Sequence, residues 1–495
     1  MLNDRTSSLA SFTASDSNAD DFSRNTVTEI DFLGQVVFPT GFSFNQTEVG
    51  GLSGLVYDPQ QQVYYAISDD RSEKASARFY TLKINLSDGE LNQGDVTFKN
   101  VTTLLDETEK PFVLNSLDPE GITLTRQGTL YVSSEGDANN LINPFVNAFS
   151  LTGEQLAALP IPDKFLPTAE QTSGIRNNLA FESLTITPNN RYLYTATENA
   201  LYQDGSAATL EDESPARILR FDLTTGQPDK EFLYFTDPVA AAPDPADAFS
   251  TNGLVELLAL DNNGNFLALE RSFSTGVGNT LKLYEVSLQN TTDLRDVEAL
   301  NGIDVDAVAQ KRLLLDFNEL GITLDNFEGM ILGERLPDGR QSLIVVSDNN
   351  FSETQSTQVL AFALDLNHIP AVAPTLETPS LLRLQDPSSP DADDPAIYVN
   401  PIDAGKSLVI TALKDGGLAV YNLDGEEVQR ITPEDIRYNN VDLVYGFKVG
   451  DQSLDLAVAT DRQNDTLAIW AIDPATQQLT NITASSLSDA SASIF

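Results

Sequence analysis

The amino-acid sequence predicts an all-β protein, a β-propeller made of four-stranded blades. Two observations lead to this fold class. First, one pattern of short apolar strands recurs at intervals of 62–74 residues, and each interval has room for about four strands. Second, the strands are separated by turns rich in Gly, Asn and Asp, whose backbone angles suit tight connections between antiparallel strands. Apolar residues make up 41% of the chain, which is enough for a packed core.

Each repeat opens and closes its first hairpin in a similar way. The first strands begin with a small or acidic residue, at Ser53, Glu120, Glu182, Glu256 and Glu328. The second strands end in a carboxylate, at Asp69, Glu135, Glu198, Glu270 and Asp348. A third strand and a fourth apolar segment complete each repeat, so the chain before residue 370 is expected to form five blades.

The segment from Ile30 to Phe38 has the character of a fourth strand, although no first three strands precede it. We expect it to close the ring by joining the last blade, because an open sheet edge is costly. Two further repeats begin near Asp394 and Asp442. Two blades cannot close by themselves. Either all seven blades share one ring, or the last two begin a second propeller that this chain does not complete.

We therefore expect four segments along the chain. They are a disordered N-terminus over 1–27, a propeller domain over 28–367, a proline-containing linker over 368–380 and an incomplete two-bladed domain over 381–495. No run of 18 apolar residues predicts a transmembrane helix. The N-terminus also lacks the apolar core of a signal peptide.

The composition excludes several classes of chemistry. The chain has 73 acidic and 29 basic residues, one histidine and no cysteine, with a formal net charge of −44. These counts exclude disulfides and thiolate metal sites, and they disfavour multi-histidine zinc sites. The negative charge argues against nucleic acid and anionic membranes as partners. Carboxylates in excess are the ligands that calcium prefers.

The recurring acids are candidate calcium ligands. First strands line the central channel of a propeller, so acids at equivalent positions in several blades should gather near one axis. Like charges there cannot all stay ionised unless a cation joins them. The candidate ligands are Asp69, Glu120, Glu182, Glu256, Glu328 and Asp348. The alternative is a structural role, in which each acid accepts hydrogen bonds from strand N–H groups.

Two arginines stand beside these acids in the sequence. Arg71 follows Asp69 and Asp70, and Arg271 follows Glu270. Because guanidinium groups bind phosphate and carboxylate with two parallel hydrogen bonds, both are candidate substrate-binding residues. The alternative is that each pairs with an acidic neighbour.

Two stretches of the chain resemble known families. Residues 381–495 resemble the β-propeller phytases, on the segments 391–401, 406–411, 417–425, 439–447 and 459–462. Residues 28–366 resemble the phytase-like family, described as having esterase-like activity of phytase. That resemblance lies in the segments 51–54, 66–72, 118–121, 270–273, 326–330 and 347–351.

The phytase resemblance implies a calcium-dependent phosphomonoesterase acting on phytate, and an extracellular or periplasmic location. It implies that Asp393 and Asp394 bind calcium and that Lys414 and Arg462 are the catalytic phosphate contacts. The sequence departs from the family pattern in three ways. Asp415 stands where a second lysine is usual, Tyr398 replaces a tryptophan, and two blades are present where family enzymes have six.

The leading hypothesis is a calcium-dependent phosphoric monoester hydrolase of the phytase type. Its partner would be an anionic small molecule, phytate or another phosphate ester, bridged to the acidic protein by calcium. The alternative is a non-catalytic, calcium-stabilised propeller that binds a ligand or a protein. A third hypothesis is a carboxylesterase, for which His368 is the one available histidine.

Overall fold

A computed structural model describes residues 24–300, 303, 305–369, 392–450 and 452–483. The chain divides after Val372 into two compact units. The expected disordered segment lies outside the described residues up to residue 23, and the expected linker lies outside them from residue 370. The side chain of His368 also lies outside the described part.

The first unit consists of strands joined by turns and two short 3₁₀ helices, Asp163–Phe165 and Phe317–Leu320. Its strands are β1 (Arg24–Pro39), β2 (Ser43–Phe44), β3 (Thr47–Glu48), β4 (Leu52–Asp58), β5 (Val63–Ser68), β6 (Arg78–Ile84), β7 (Val96–Thr103), β8 (Pro119–Leu124), β9 (Leu130–Ser134), β10 (Phe145–Phe149), β11 (Gln155–Leu159), β12 (Phe181–Ile186), β13 (Tyr192–Thr197), β14 (Pro215–Asp222), β15 (Gln227–Phe235), β16 (Ser250–Ala259), β17 (Asn265–Ser274), β18 (Gly278–Ser287), β19 (Gln310–Asp316), β20 (Asn326–Arg335), β21 (Gln341–Asp348) and β22 (Ser356–Ile369).

Twenty of these strands form five four-stranded antiparallel sheets, and β2 and β3 form a separate two-stranded sheet. Four sheets are continuous in sequence: β4–β7, β8–β11, β12–β15 and β16–β19. The fifth contains β20, β21 and β22 and takes β1 as its outer strand. β1 pairs with β22 along its whole length, with Ile30 opposite Leu364 and Val36 opposite Val359. The prediction that the N-terminal segment completes the last sheet is therefore confirmed.

The first strands of the five sheets, β4, β8, β12, β16 and β20, contact one another in a closed cycle. Neighbouring sheets cover each of them on both sides, and most of their residues are buried. The residues between adjacent sheets form the core, as in the cluster of Leu52, Tyr64, Ile344 and Val346. This arrangement of radial sheets is the β-propeller fold that the repeats predict.

Antiparallel pairing fixes which loops lie together. Three points of every sheet lie at the same end of the ring. They are the end of the second strand, the end of the fourth strand and the start of the first strand of the following sheet. We call this end the mouth. The recurring acids all lie near it, because they occupy the starts of first strands and the ends of second strands.

The second unit has two four-stranded antiparallel sheets. Its strands are β23 (Pro395–Tyr398), β24 (Leu408–Ala412), β25 (Leu418–Tyr421), β26 (Glu427–Ile431), β27 (Tyr438–Val449), β28 (Gln452–Asp461), β29 (Thr466–Asp473) and β30 (Gln478–Asn481), with a 3₁₀ helix at Ala404–Lys406. The two sheets share one apolar core, in which Trp470 is packed edge-on against Tyr438. Within the described residues of the chain, no helix is long and apolar enough to cross a membrane.

Candidate functional site

The first strand of each of the five sheets contains a β-bulge near the mouth. In the third sheet, for example, Phe181 pairs with Thr197 and Ser183 pairs with Ala196, so Glu182 is the extra residue. The same interruption lies at Glu328 in the fifth sheet and at Glu120 with Gly121 in the second. A bulge re-aims the side chain that it carries, and here it is commonly a glutamate.

The bulges define two sets of structurally equivalent positions. The bulged residues are Ser53, Glu120, Glu182, Val255 and Glu328. The equivalent positions on the second strands are Asp69, Glu135, Glu198, Arg271 and Asp348. The fourth sheet therefore departs from the second, third and fifth, because valine and arginine occupy the two positions at which those sheets carry acids.

Eight carboxylates gather at the centre of the mouth, and we call them the central acids. They are Asp69, Asp118, Glu120, Glu135, Glu182, Glu198, Glu328 and Asp348. All except Asp69, which is half-buried, are buried. Asp118 was not predicted from the sequence. It lies two residues before the bulge of β8, a position held by Gly51, Ala180, Gly253 and Asn326 in the other sheets.

The central acids raise one another's pKa values. Burial, followed by the charge of Glu182, raises the pKa of Glu120 well above its usual range. Burial has the same effect on Asp69, Glu135 and Glu182, with neighbouring acids adding to it. Burial raises the pKa of Asp118 to about 6, although the Arg71 guanidinium acts against the rise.

Glu198 and Asp348 behave in the same way. Burial raises the pKa of Glu198 to about 7 against the opposing charge of Arg271. Burial and the charge of Glu328 raise the pKa of Asp348 to about 8. Removal from water and mutual repulsion therefore disfavour the ionised form throughout the centre.

Hydrogen bonds satisfy only part of this cluster. Asn326 donates to Glu328 at 2.8 Å and to Asp348 at 3.2 Å, and the backbone N–H of Ala180 donates to Glu135. Among the described residues, three central acids accept no hydrogen bond and form no ion pair; they are Asp69, Glu120 and Glu182. Glu120 and Glu182 are only 7% and 6% exposed. Buried carboxylates without donors are costly unless a cation binds them.

One group of central acids has the spacing of a metal site. Ligand oxygens of Asp118, Glu120 and Glu135 lie within 4.8 Å of one another, and all three residues are buried. Calcium binds six to eight oxygens at about 2.3–2.6 Å in flexible geometry, so three convergent carboxylates supply a large part of a coordination shell. The carboxylate of Glu120, which has no partner among the described residues, leaves this cluster able to bind a metal ion.

Two arginines supply the positive charge in this centre. Arg71 forms an ion pair with Asp118, and its Nη2 also donates to Asn178 at 2.7 Å. Nη2 of Arg271 lies 3.3 Å from Glu198 and 3.4 Å from Glu328. The buried Nε of Arg271 has no hydrogen-bond partner among the described residues. It is therefore a free donor beside the central acids.

Two of the recurring acids are not among the central acids. Glu256 is one residue past its bulge, and its carboxylate accepts the backbone N–H of Leu257 at 2.9 Å. Burial raises the pKa of Glu256, and backbone N–H groups of Leu257, Met330 and Leu184 act against the rise. Glu270 accepts hydrogen bonds from Tyr234 and Lys311 at 2.7 and 2.6 Å. Both carboxylates therefore satisfy local donors.

Two glycines leave room for the central acids. Gly51 has φ +64°, and a Cβ there would lie 1.9 Å from Oδ1 of Asp69. A Cβ at Gly253 would lie 2.3 Å from Oε1 of Glu198. Each glycine thus allows an acid to occupy the centre, and at Gly51 the left-handed backbone adds a second reason for glycine.

The second unit brings its own candidate residues to one edge. Lys414 Nζ lies 3.6 Å from Asp393 Oδ2, and Asn440 donates to Asp394 at 3.2 Å. Arg462 is exposed on the neighbouring loop, where its backbone N–H donates to the carbonyl of Arg437 at 2.9 Å. Asp415, for which the family resemblance implied a lysine, accepts two contacts of 2.9 Å from Arg437. The site positions thus lie on adjacent loops, mostly exposed to solvent.

Comparison with known proteins decides the family. Residues 47–351, more than half of the chain, match the family model described as phytase-like, esterase-like activity of phytase. The chain belongs to this phytase-like family. Residues 345–493 of the phytase-like chain also match the family model described as phytase.

Two curated relatives share parts of this phytase-like sequence. A 3-phytase of Bacillus subtilis (strain 168) is 40% identical over 94 residues, which cover 19% of this chain and 24% of the relative. An uncharacterized secreted protein of Arthroderma benhamiae is 27% identical over 190 residues, which cover 32% of this chain and 35% of the relative. The chain therefore spans about a quarter to a third of the length of these relatives.

Solved structures resemble the phytase-like chain only weakly. An endo-arabinase from Bacteroides thetaiotaomicron has a TM-score of 0.34 at 12% identity, covering 66% of this chain and 96% of its own. The Dos1 propeller has a TM-score of 0.24 at 10% identity, covering 90% and 88%. At this level the similarity carries no argument about activity.

Proposed function

We propose that this phytase-like chain is a calcium-dependent phosphoric monoester hydrolase of the phytase type. The observation that carries the proposal is the cluster of eight central acids, three of them without any hydrogen bond or ion pair among the described residues. Hydrolysis adds water across the ester P–O bond and releases inorganic phosphate and an alcohol.

The charge of the centre is the first support. With every acid ionised, Arg71 and Arg271 offset two of the eight charges and leave a formal excess of six. Buried like charges at this density are strongly destabilising unless protons or cations neutralise them. Because the donors are all oxygens and the geometry is irregular, calcium suits the site better than a softer metal.

The second support is the division of roles that the centre allows. Asp118, Glu120 and Glu135 would hold a cation. When bound, such an ion supplies charge neutralisation on the phosphoryl oxygens and lowers the pKa of water. Arg271 would hold a phosphate oxygen through its free Nε–H, since that donor is buried without a partner among the described residues. Arg71 would hold the ester from the other side.

The second unit would contribute to the same class of reaction. Asp393 and Asp394 would bind calcium, and Lys414 and Arg462 would contact phosphate. The match of residues 345–493 to the phytase model supports these roles. An extracellular location is part of the proposal, supported by the relative that is described as a secreted protein.

The test is phosphate release from phytate by the full chain, with calcium and with a chelator. Two variants separate the units: Glu120→Gln in the central acids and Lys414→Ala in the second unit. Glu107→Gln, which changes an exposed acid, is the matched control. Calcium-dependent release that one of the two variants abolishes supports the proposal and identifies the unit responsible. No release in calcium from the folded wild-type chain would exclude the enzyme.

A second candidate is a non-catalytic, calcium-stabilised propeller that binds a ligand or a protein partner. It is favoured by the ion pairs of both central arginines, because each guanidinium already contacts a carboxylate. This candidate predicts that calcium raises the melting temperature while no phosphate ester is consumed. Product formation by the wild-type chain distinguishes the two.

A further inference from the structure

Exposed apolar side chains lie at the part of the mouth that holds Arg71. Val113 and Leu114 are 70% and 60% exposed, and Leu141 is 50% exposed. The first two lie in the connection from β7 to β8, and Leu141 lies in the connection from β9 to β10. Both connections are at the mouth, and each is followed or preceded by a central acid.

Hydrogen bonds link these two loops to Arg71, one directly and one through the segment that contains Asn177 and Asn178. The backbone N–H of Asn115 donates to the Arg71 carbonyl at 2.8 Å, which fixes the loop of Val113 and Leu114. Arg71 Nη2 donates to Asn178 Oδ1 at 2.7 Å. The adjacent Asn177 accepts the backbone N–H of Asn139, in the loop of Leu141, at 3.3 Å. The loops that carry the apolar side chains are thus connected to the residue that supplies a positive charge at this part of the mouth.

The backbone of Leu141 adds a second observation. Its φ is +57°, in the left-handed region that few residues other than glycine and asparagine adopt. Leucine does not relieve the strain of this backbone conformation as glycine would. Its side chain also contributes little to the core, because half of it is exposed to solvent. Strained positions of this kind cluster at ligand clamps, so the side chain itself is the feature that needs an explanation.

We propose that Val113, Leu114 and Leu141 form an apolar contact for the organic group of a phosphate monoester whose phosphate lies beside Arg71. The substrate class is then the phosphate esters of alkyl or aryl alcohols. This inference rests on the phosphate-ester chemistry proposed above for the same centre. A hydrophobic alcohol would remove apolar surface from water, whereas a polyhydroxylated phosphate would gain nothing from this contact. The guanidinium beside it complements the negative charge of the phosphate.

Two non-hydrolysable probes test the proposal by binding alone. Calorimetry on the full chain in calcium would compare octylphosphonate with methylphosphonate, which carry similar anionic groups and differ in apolar area. We expect octylphosphonate to bind at least about ten-fold more tightly, because several methylenes would be partly buried. The double substitution Val113→Ser with Leu114→Ser should bring the two affinities close together, and Leu141→Ser should do so in part.

The matched control is Leu156→Ser, since Leu156 is 57% exposed on β11, the outer strand of the sheet whose β9–β10 connection contains Leu141. The control should keep the wild-type affinity ratio. A ratio near one in the wild-type chain, or an equal loss in the Leu156 variant, would overturn the proposal. Because no turnover is measured, an inactive chain that retains the ratio would refute the hydrolase and leave this inference standing.

Discussion

Removing one unpartnered carboxylate from the central acids should have opposite effects with and without calcium. The perturbation is Glu120→Gln, which keeps the shape of the side chain and removes its charge. In chelator the substitution removes an acid whose ionised form burial and neighbouring acids disfavour in the folded state, so the variant should melt at a higher temperature than the wild type at neutral pH. In calcium it removes one of three convergent ligands, so the variant should lose stabilisation that the wild type gains.

The magnitude follows from the size of the first unit. An ion present at 100 times its dissociation constant stabilises the folded state by about 2.7 kcal/mol. The first unit extends to residue 372, and at about 2.1 cal/mol/K per residue its unfolding entropy is about 0.8 kcal/mol/K. Each bound ion should therefore raise the melting temperature by about 3–4 °C, and three ions, enough to neutralise six charges, by about 10 °C.

Differential scanning calorimetry on the full chain in chelator and in millimolar calcium measures both effects. Glu107→Gln is the control, because Glu107 is exposed and outside the centre. The reasoning is refuted if calcium leaves the wild-type melting temperature unchanged. It is refuted equally if Glu120→Gln lowers that temperature by the same amount in both buffers, which would indicate simple loss of packing.

Three further predictions test other parts of the structure. Burial raises the pKa of Asp237, but hydrogen bonds, Lys311 first among them, outweigh burial and hold it at about 2. The resulting stability of about 2 kcal/mol is present above pH 4 and lost as the pH falls toward 2. Asp237→Asn should therefore make the free energy of unfolding in urea depend less on pH across that window. Gly51→Ala should cost about 1–3 kcal/mol in urea unfolding and reduce calcium stabilisation. Gly41→Ala, where a Cβ meets nothing within 4 Å, should show only the backbone part of that cost. Arg462→Ala should lower kcat/KM for phytate at least about ten-fold if the second unit binds phosphate, and leave it unchanged if the first unit alone does.

The fold was predictable because its signals are local and repeated. Turn residues and short apolar strands recur in each interval, and no long-range information is needed to recognise them. The closure by β1 was predictable for a related reason, since the Ile30 segment is a fourth strand without its first three. The pairing of Ile30 with Leu364 confirms that reasoning. The exact strand ends and the bulges became apparent only from the structure.

The site was predictable in outline, but in the fourth sheet the sequence pattern assigned the two equivalent positions to the wrong residues. Glu256 and Glu270 resemble the acids of the other repeats when strands are matched by their first acidic letter. The bulges show that Val255 and Arg271 hold the equivalent positions. Spacing could have revealed this, because Val255 and Arg271 are 16 residues apart, as are Ser53 with Asp69 and Glu182 with Glu198.

Asp118 escaped prediction for a different physical reason. It precedes β8 instead of lying within the repeated strand pattern, and its equivalents in other sheets are mostly small residues, such as Gly51 and Ala180. Only the three-dimensional convergence of the loops brings it within reach of Glu120 and Glu135. A residue that differs at its position from every other repeat carries no periodic signal, even when it completes a cluster.

The departure of the fourth sheet from the acidic pattern also makes the centre more complementary to an anion. Acids at every bulge and every second-strand end would leave Arg71, which is paired with Asp118, as the one arginine among the central acids. In the fourth sheet Val255 removes one charge and Arg271 reverses another. The Arg271 guanidinium keeps a buried N–H without a partner among the described residues while it lies beside Glu198 and Glu328. The combination of unpaired carboxylates and an unpaired donor in one buried centre is therefore complementary to a cation together with an anion, and neither alone would satisfy both.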